Sequence, residues 1–152
     1  DLIGSYHIIY NKRTKDRCDK ESSLSHYNSM NVMSMYALIG AYQPEGYEWV
    51  EELKQTIDGN MDFACDYIAK HFDGVEVTRP EGTYMLFIDC AKWLEKTGKT
   101  MDELTKAGWD VGVVWQDGRA FHGPTHIRMN LALPLSRVQE AFERLDKYVF
   151  NV

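Results

Sequence analysis

Arg128 is the residue of this chain whose position most strongly suggests binding chemistry. Apolar and polar residues alternate over 126–133, the pattern of a β-strand with one buried face. Ile127 and Met129 then face the core, and Arg128 points the other way. A guanidinium is planar and can hold a carboxylate through two parallel hydrogen bonds. Asn130 shares the face of Arg128, so both are candidates for ligand binding. An ordinary solvent-exposed strand face is the simpler alternative that the pattern leaves open.

The other chemically versatile residues form no comparable arrangement. His122 and His126 are four residues apart, but Gly123 and Pro124 exclude the helix that would place them on one face. No cysteine or acidic residue follows at metal-ligand spacing. The ten lysines fall mostly on polar faces, and none ends an apolar strand where burial would lower its pKa for Schiff-base chemistry. The GxSxG, HExxH, GxGxxG and GxxxxGK motifs are absent from the sequence.

The second half of the chain predicts the small α+β layer that would carry Arg128. Capping-box sequences at 100–103 and 136–139 open two helices, and Gly108 is expected to end the first. The strand 83–89 is apolar on both faces, as in a central buried strand. Four strands are expected, at 75–78, 83–89, 111–115 and 126–133, with turns at 79–82 and 116–118. This pattern indicates a small sheet covered by helices.

The first half predicts one strand and two helices. The strand is expected at 5–10 and the helices at 16–42 and 47–71, with a break at 43–46. The second helix would be roughly 37 Å long at about 1.5 Å per residue, more than the width of a small domain. It either breaks near Gly59 or bridges two domains. The apolar repeat keeps its phase through Gly59, which favours the bridge.

Composition and charge limit the kinds of binding partner and the cellular compartment expected for this chain. The net charge is -6, with no block of Lys or Arg longer than two, which argues against a nucleic-acid surface. No apolar run is long enough for a membrane span. The cysteines are odd in number and widely spaced without a CxxC pair, so they predict buried thiols of a reducing cytoplasm. They are Cys18, Cys65 and Cys90.

The first residues of the chain do not have the composition of an ordinary domain boundary. Asp1 is followed at once by an apolar, strand-like run, whereas domain boundaries usually fall in polar linkers. We therefore expect the chain to be a piece of a longer polypeptide.

Five segments carry a resemblance to a known family. Residues 79–89 read RPEGTYMLFID, similar to a PEGTYL strand that leads to an aspartate. Residues 126–134 read HIRMNLALP, similar to an R-N-A-P strand followed by a capped helix, and are the most specific. Weaker matches lie at 2–6, 47–53 and 108–118. Together, and in the family's order along the chain, the segments resemble the class I/II aminotransferases of pyridoxal-phosphate fold type I, especially their cystathionine β-lyase-like branch.

The resemblance implies a two-domain enzyme in which a large domain carries pyridoxal phosphate on a lysine and a small domain closes over a small amino-acid substrate. Residues 1–46 would be the edge of the large domain, 47–72 the interdomain helix and 73–152 the small C-terminal domain. Arg128 matches the arginine that grips the substrate α-carboxylate, with Asn130 beside it. The cofactor lysine would lie just before the chain begins. We therefore expect no covalently bound cofactor and no activity from the chain alone.

Some properties stay open under this resemblance. Transamination and C–S β-elimination need the same cofactor and arginine, so the sequence does not separate them. Segment 115–123 replaces the family's NPG turn, and no cofactor-binding residue is carried over. The expected partners are the rest of the cofactor-binding domain and a second subunit in a homodimer. The rival interpretation is a non-catalytic α+β binding or dimerisation module.

Overall fold

The computed structural model describes residues 6–25 and 30–151, which fall into two compact units that divide between Glu51 and Glu52. The helices of this part of the chain are Lys12–Ser25 (α1), Val32–Ala41 (α2), Pro44–His71 (α3), Ala91–Thr97 (α4), Met101–Asp110 (α5) and Leu135–Leu145 (α6). The strands are Glu76–Val77 (β1), Met85–Asp89 (β2), Gln116–Asp117 (β3) and His126–Asn130 (β4). A 3-10 turn spans Gly118–Phe121, and a π-helical turn spans Asp146–Phe150.

The second unit contains one antiparallel sheet with the strand order β1-β2-β4-β3. In its register, Phe87 of β2 and Gln116 of β3 flank Arg128 of β4 on either side. The predicted α+β class, a small antiparallel sheet covered by helices, is therefore confirmed.

One face of this sheet is buried and the other is open. Leu86, Ile88, Ile127 and Met129 are buried, as the alternation over 126–133 predicted. They pack in one core with apolar residues of α3, α4, α5 and α6. The prediction that 83–89 is buried on both faces is wrong, because Phe87 is 38% exposed on the open face. Strand β2 is central in the sheet, but helices cover it on one side only.

Helix α3 runs without interruption for 28 residues, or about 42 Å at 1.5 Å per residue. Gly59 does not break it, as the continuous apolar repeat had indicated. The adjacent Asn60 is buried, and its Nδ2 donates hydrogen bonds of 2.8 Å to the carbonyl oxygens of Leu131 and Leu133. This side chain ties α3 to the segment that follows the arginine-bearing strand.

The first unit differs from the sequence prediction in three places. Residues 6–10 are irregular, because the described residues offer them no strand to pair with; residue 5 lies outside the described part, as does most of the segment 2–6. The helix expected at 16–42 is two helices, and Asn31 caps the second by accepting a 2.8 Å hydrogen bond from the Ser34 amide. The break expected at 43–46 is shorter, since Pro44 is the first residue of α3.

Three local predictions at helix ends in the second unit are confirmed or corrected. Thr100 and Glu103 form the predicted capping box, with both reciprocal hydrogen bonds present. The box predicted at 136–139 is wrong, because Pro134 precedes α6 and no side chain caps it. Gly108 does not end α5, which continues to Asp110. Gly108 allows the Trp115 ring to pack closely against α5, because a Cβ at this position would lie 2.2 Å from that ring.

The strand predicted at 111–115 is also wrong. This segment is an irregular connection whose Val113 and Trp115 side chains are buried in the core. Pairing begins one residue later, at Gln116, so the predicted turn at 116–118 is instead strand β3 and the start of the 3-10 turn. Burial rather than hydrogen-bonded pairing accounts for the apolar pattern.

Of the three free thiols, only Cys90 is buried, while Cys18 and Cys65 are half-buried, which corrects the expectation of three buried cysteines. Among the described residues, no helix is both long and apolar enough to cross a membrane.

Candidate carboxylate-binding site

A pocket lies on the open face of the sheet and contains the Arg128 side chain. Its volume is about 370 Å³. Its walls are mostly apolar, and Arg128 is the charged residue among them. The lining residues are Thr78, Pro80, Thr83, Met85, Phe87, Phe121 and Arg128. The structure therefore places a half-buried guanidinium in an apolar cleft of amino-acid size.

Among the described residues, the groups that contact the Arg128 guanidinium are uncharged. Its Nη1 donates a hydrogen bond to Oε1 of Gln116, the cross-strand neighbour on β3. Its Cζ lies 4.6 Å from the centre of the Phe121 ring, a cation–π contact. Neither contact neutralises the positive charge, so the guanidinium can still attract an anion.

Arg128 differs in this respect from the other arginines of the second unit. Each of the others is paired with a carboxylate. Arg79 pairs with Asp62 at 2.9 Å, and Arg119 with Asp117 and Asp102. The remaining two, Arg137 and Arg144, share Glu140. Within residues 52–151, Arg128 is the arginine with no carboxylate at ion-pair distance.

A short turn positions Phe121 over the guanidinium. Asp117 caps this 3-10 turn by accepting a 2.9 Å hydrogen bond from the Arg119 amide, and the Arg119 side chain holds the Asp117 pKa below its usual value. The Gly123 amide closes the turn on the Gly118 carbonyl oxygen at 2.9 Å. A Cβ on Gly118 would lie 2.2 Å from the His126 carbonyl oxygen, so the missing side chain allows the turn to lie against β4.

Backbone strain is concentrated at the rim of this pocket. Thr83 and His122 are the non-glycine residues of the described chain with positive φ, at 72° and 61°. Thr83 lines the pocket, and His122 follows Phe121. A left-handed conformation is costly for a β-branched residue and is found mainly where the surroundings enforce it. The strain at Thr83 is therefore consistent with a functional site.

A larger groove of about 720 Å³, lined by residues of α3, β1 and β2, is less suited to a carboxylate. It is lined by Asp66, Glu76 and Asp89, and its arginine, Arg79, is already ion-paired. Burial of Asp89 opposes ionisation, but hydrogen bonds from the Thr125 hydroxyl and a backbone amide outweigh it and lower the Asp89 pKa. The acidic character of this groove would repel an anion.

Asn130 faces outward like Arg128, as predicted, but it does not line the same pocket. Its Oδ1 accepts a 2.8 Å hydrogen bond from the Ala132 amide, and its side chain borders a different groove beside α6. Substrate binding by Asn130 stays a prediction. Two residues that contact Arg128, Gln116 and Phe121, were not predicted from the sequence. Their only sequence signal was the departure of 115–123 from the family pattern.

No lysine of the described residues lies in the pocket that contains Arg128. Nine of the ten lysines are exposed, Lys99 is half-buried, and none lines the Arg128 pocket. Acidic neighbours raise the pKa of Lys15 and Lys92, the opposite of what a Schiff-base lysine needs. No three His, Cys, Asp or Glu residues within the described ranges are placed to hold a metal ion.

Comparison with known proteins identifies the class of protein. A family model described as aminotransferase class I and II matches residues 17–145, and the chain belongs to that family. The chain is similar to the aspartate aminotransferase of Bacillus sp. (strain YM-2), with 28% identity over 97% of this chain and 38% of that enzyme. The chain thus spans less than two fifths of this relative.

Solved structures share the fold. A PLP-bound C–S lyase from Staphylococcus hominis superposes with a TM-score of 0.78 at 22% identity, covering 95% of this chain and 37% of the lyase. Cystalysin from Treponema denticola, whose crystal structure contains a pyridoxal 5'-phosphate cofactor, gives a TM-score of 0.78 at 24% identity and covers 93% and 36%.

Proposed function

We propose that this chain is the C-terminal part of a pyridoxal-phosphate-dependent aminotransferase or C–S β-lyase, in which Arg128 binds the α-carboxylate of a small amino acid. The observation that carries the proposal is the half-buried guanidinium with no carboxylate partner among the described residues of its unit. Family membership supports the enzyme class, and the two kinds of relative support the two reactions.

The pocket geometry accounts for how Arg128 would work. The substrate carboxylate would complete a charge-assisted, bidentate pair with the guanidinium. The guanidinium is half-buried beside apolar walls that include Met85 and Phe87, which makes that electrostatic interaction stronger than it would be in bulk water. Fixing the carboxylate orients the substrate amino group and Cα toward the reacting centre, which is a proximity contribution to catalysis.

The complete protein would use polypeptide outside this chain to hold its cofactor. Pyridoxal phosphate supplies an electron sink for chemistry at the substrate Cα. The chain spans 38% of its aspartate aminotransferase relative, which supports the proposal that the cofactor lysine belongs to a large domain elsewhere and that this chain alone is inactive. We propose the division 1–46, 47–72 and 73–152 for large-domain edge, interdomain helix and small domain, within a homodimer.

Substitution of Arg128 in the complete protein tests this proposal. Arg128→Gln removes charge-assisted hydrogen bonds worth about 1.5–3 kcal/mol, so kcat/KM should fall roughly 10- to 150-fold. Activity would be measured as amino transfer from L-aspartate to 2-oxoglutarate and as pyruvate release from L-cystathionine, which also decides between the two reactions.

Arg137→Gln is the matched control, because Arg137 is an exposed arginine already paired with Glu140. It should leave kcat/KM within about twofold. If Arg128→Gln, like Arg137→Gln, leaves kcat/KM within about twofold for the substrate that the wild-type protein turns over, the carboxylate role of Arg128 is refuted. If neither substrate reacts in the wild-type protein, the proposed pair of activities is wrong.

A further inference from the structure

Two uncharged groups hold the Arg128 guanidinium in place. Gln116 stands directly opposite Arg128 in the β3–β4 register, and its amide oxygen accepts the hydrogen bond from Nη1. Phe121 covers the guanidinium at 4.6 Å. The described residues place no hydrogen-bond acceptor on Nη2 or Nε, so that edge of the fork is available for a bidentate ligand.

The neutrality of these groups is unusual within the unit. Other arginines here are oriented by carboxylates, as Arg119 is by Asp117 and Arg144 by Glu140. A carboxylate at position 116 would orient the Arg128 side chain equally well, but it would cancel the charge. A glutamine has nearly the same shape and leaves the positive charge uncompensated.

We propose that Gln116 and Phe121 are positioning residues of the carboxylate site, and that the amide of Gln116 sets its selectivity for an anion. Gln116 holds Nη1 and so leaves the Nη2–Nε edge for the ligand, while Phe121 restricts the movement of the guanidinium away from β4. This inference rests on the proposed role of Arg128 and adds the two residues that make the role effective.

Gln116→Glu in the complete protein is the sharpest test, because it exchanges an amide for a carboxylate of the same size. The new carboxylate would pair with Arg128 and compete with the substrate. KM for the amino-acid substrate should rise about tenfold or more, with kcat changed by less than about twofold. Gln139→Glu is the control, since Gln139 is exposed on α6, a helix that does not line the pocket, and the charge change is the same.

The ring of Phe121 is tested by a pair of variants. Phe121→Leu removes the cation–π contact and should raise KM about three- to tenfold, whereas Phe121→Tyr keeps the ring and should restore KM to near the wild-type value. If Phe121 had only a general packing role, Phe121→Leu would lower the thermal unfolding midpoint and would not raise KM while leaving kcat unchanged. Should Gln116→Glu fail to fold, Gln116→Ala decides, with an expected two- to tenfold rise in KM.

The outcomes separate the two claims. If Arg128→Gln raises KM but Gln116→Glu and Phe121→Leu leave it within twofold, the positioning inference is overturned and the role of Arg128 stands. If Arg128→Gln leaves KM unchanged, the carboxylate site itself is wrong, and the inference falls with it.

Discussion

Replacing Gly123 with alanine should disturb the candidate pocket through the Phe87 ring that lines it. A Cβ built on Gly123 would lie 2.3 Å from Cζ of Phe87 and 2.8 Å from Cβ of His126. Carbon atoms pack at about 3.5 Å or more, so the Phe87 ring would have to move by about 1 Å. The stacked His126 ring, 4.4 Å away, limits one direction of escape. Phe87 also lines the pocket that contains Arg128, so a displaced ring would change the shape of that pocket.

The magnitude follows from the cost of inserting a methyl group against the His126 Cβ, which, unlike the exposed Phe87 ring, has little freedom to move. Forcing one methyl group into such contacts typically costs about 1–3 kcal/mol. Urea unfolding of the chain, followed by circular dichroism, should show this loss for Gly123→Ala. The matched control is Gly82→Ala, because a Cβ on Gly82 meets nothing within 4 Å and should change the unfolding free energy by less than about 0.5 kcal/mol. In the complete protein, Gly123→Ala should also raise KM.

A Gly123→Ala variant as stable as Gly82→Ala, with wild-type KM, would refute the claim that the 118–123 turn lies tightly against Phe87. A stability loss with unchanged KM would keep the packing but remove its connection to the pocket.

Two further predictions concern stability. Gly108→Ala should destabilise the chain by about 1–3 kcal/mol, because its Cβ would lie 2.2 Å from the Trp115 ring. In the control Gly59→Ala, the new Cβ meets nothing within 4 Å and should stabilise α3 by about 0.5–1 kcal/mol. Equal effects of the two substitutions in urea unfolding would contradict the packing at Gly108. Asp89→Asn should lower stability at pH 7. The folded pKa of Asp89 is below its unfolded value of 3.8, so the carboxylate stabilises the fold above about pH 4 and that contribution is lost as the pH falls through the folded pKa. Unfolding curves of the two proteins should therefore converge in acid, and a constant gap down to pH 2 would count against this linkage.

The sequence was most informative where a local pattern had one physical solution. The alternation over 126–133 placed Ile127 and Met129 in the core and Arg128 outside it, as observed. The capping box at Thr100 and the unbroken phase of α3 through Gly59 were equally local and equally correct. In each case neighbouring residues on one element determine the outcome.

The sequence was least informative where a residue's role depends on a distant partner. Segment 111–115 has strand composition, but Trp115 is used for packing on Gly108, which no local pattern indicates. Gln116 and Phe121 meet Arg128 only because of the β3–β4 register and the closed turn between them. These contacts join residues 7 to 12 positions apart through geometry that composition does not encode.

The unpaired charge of Arg128 also has a practical consequence for solution work on this protein. The proposed carboxylate role of Arg128 implies that small anions such as formate, acetate or sulfate enter the 370 Å³ cleft and bind the same guanidinium edge. Buffers that contain them would therefore act as weak competitive inhibitors and at the same time raise the melting temperature through mass action. Kinetic constants measured in zwitterionic buffers with chloride held low would be closest to those of the site itself.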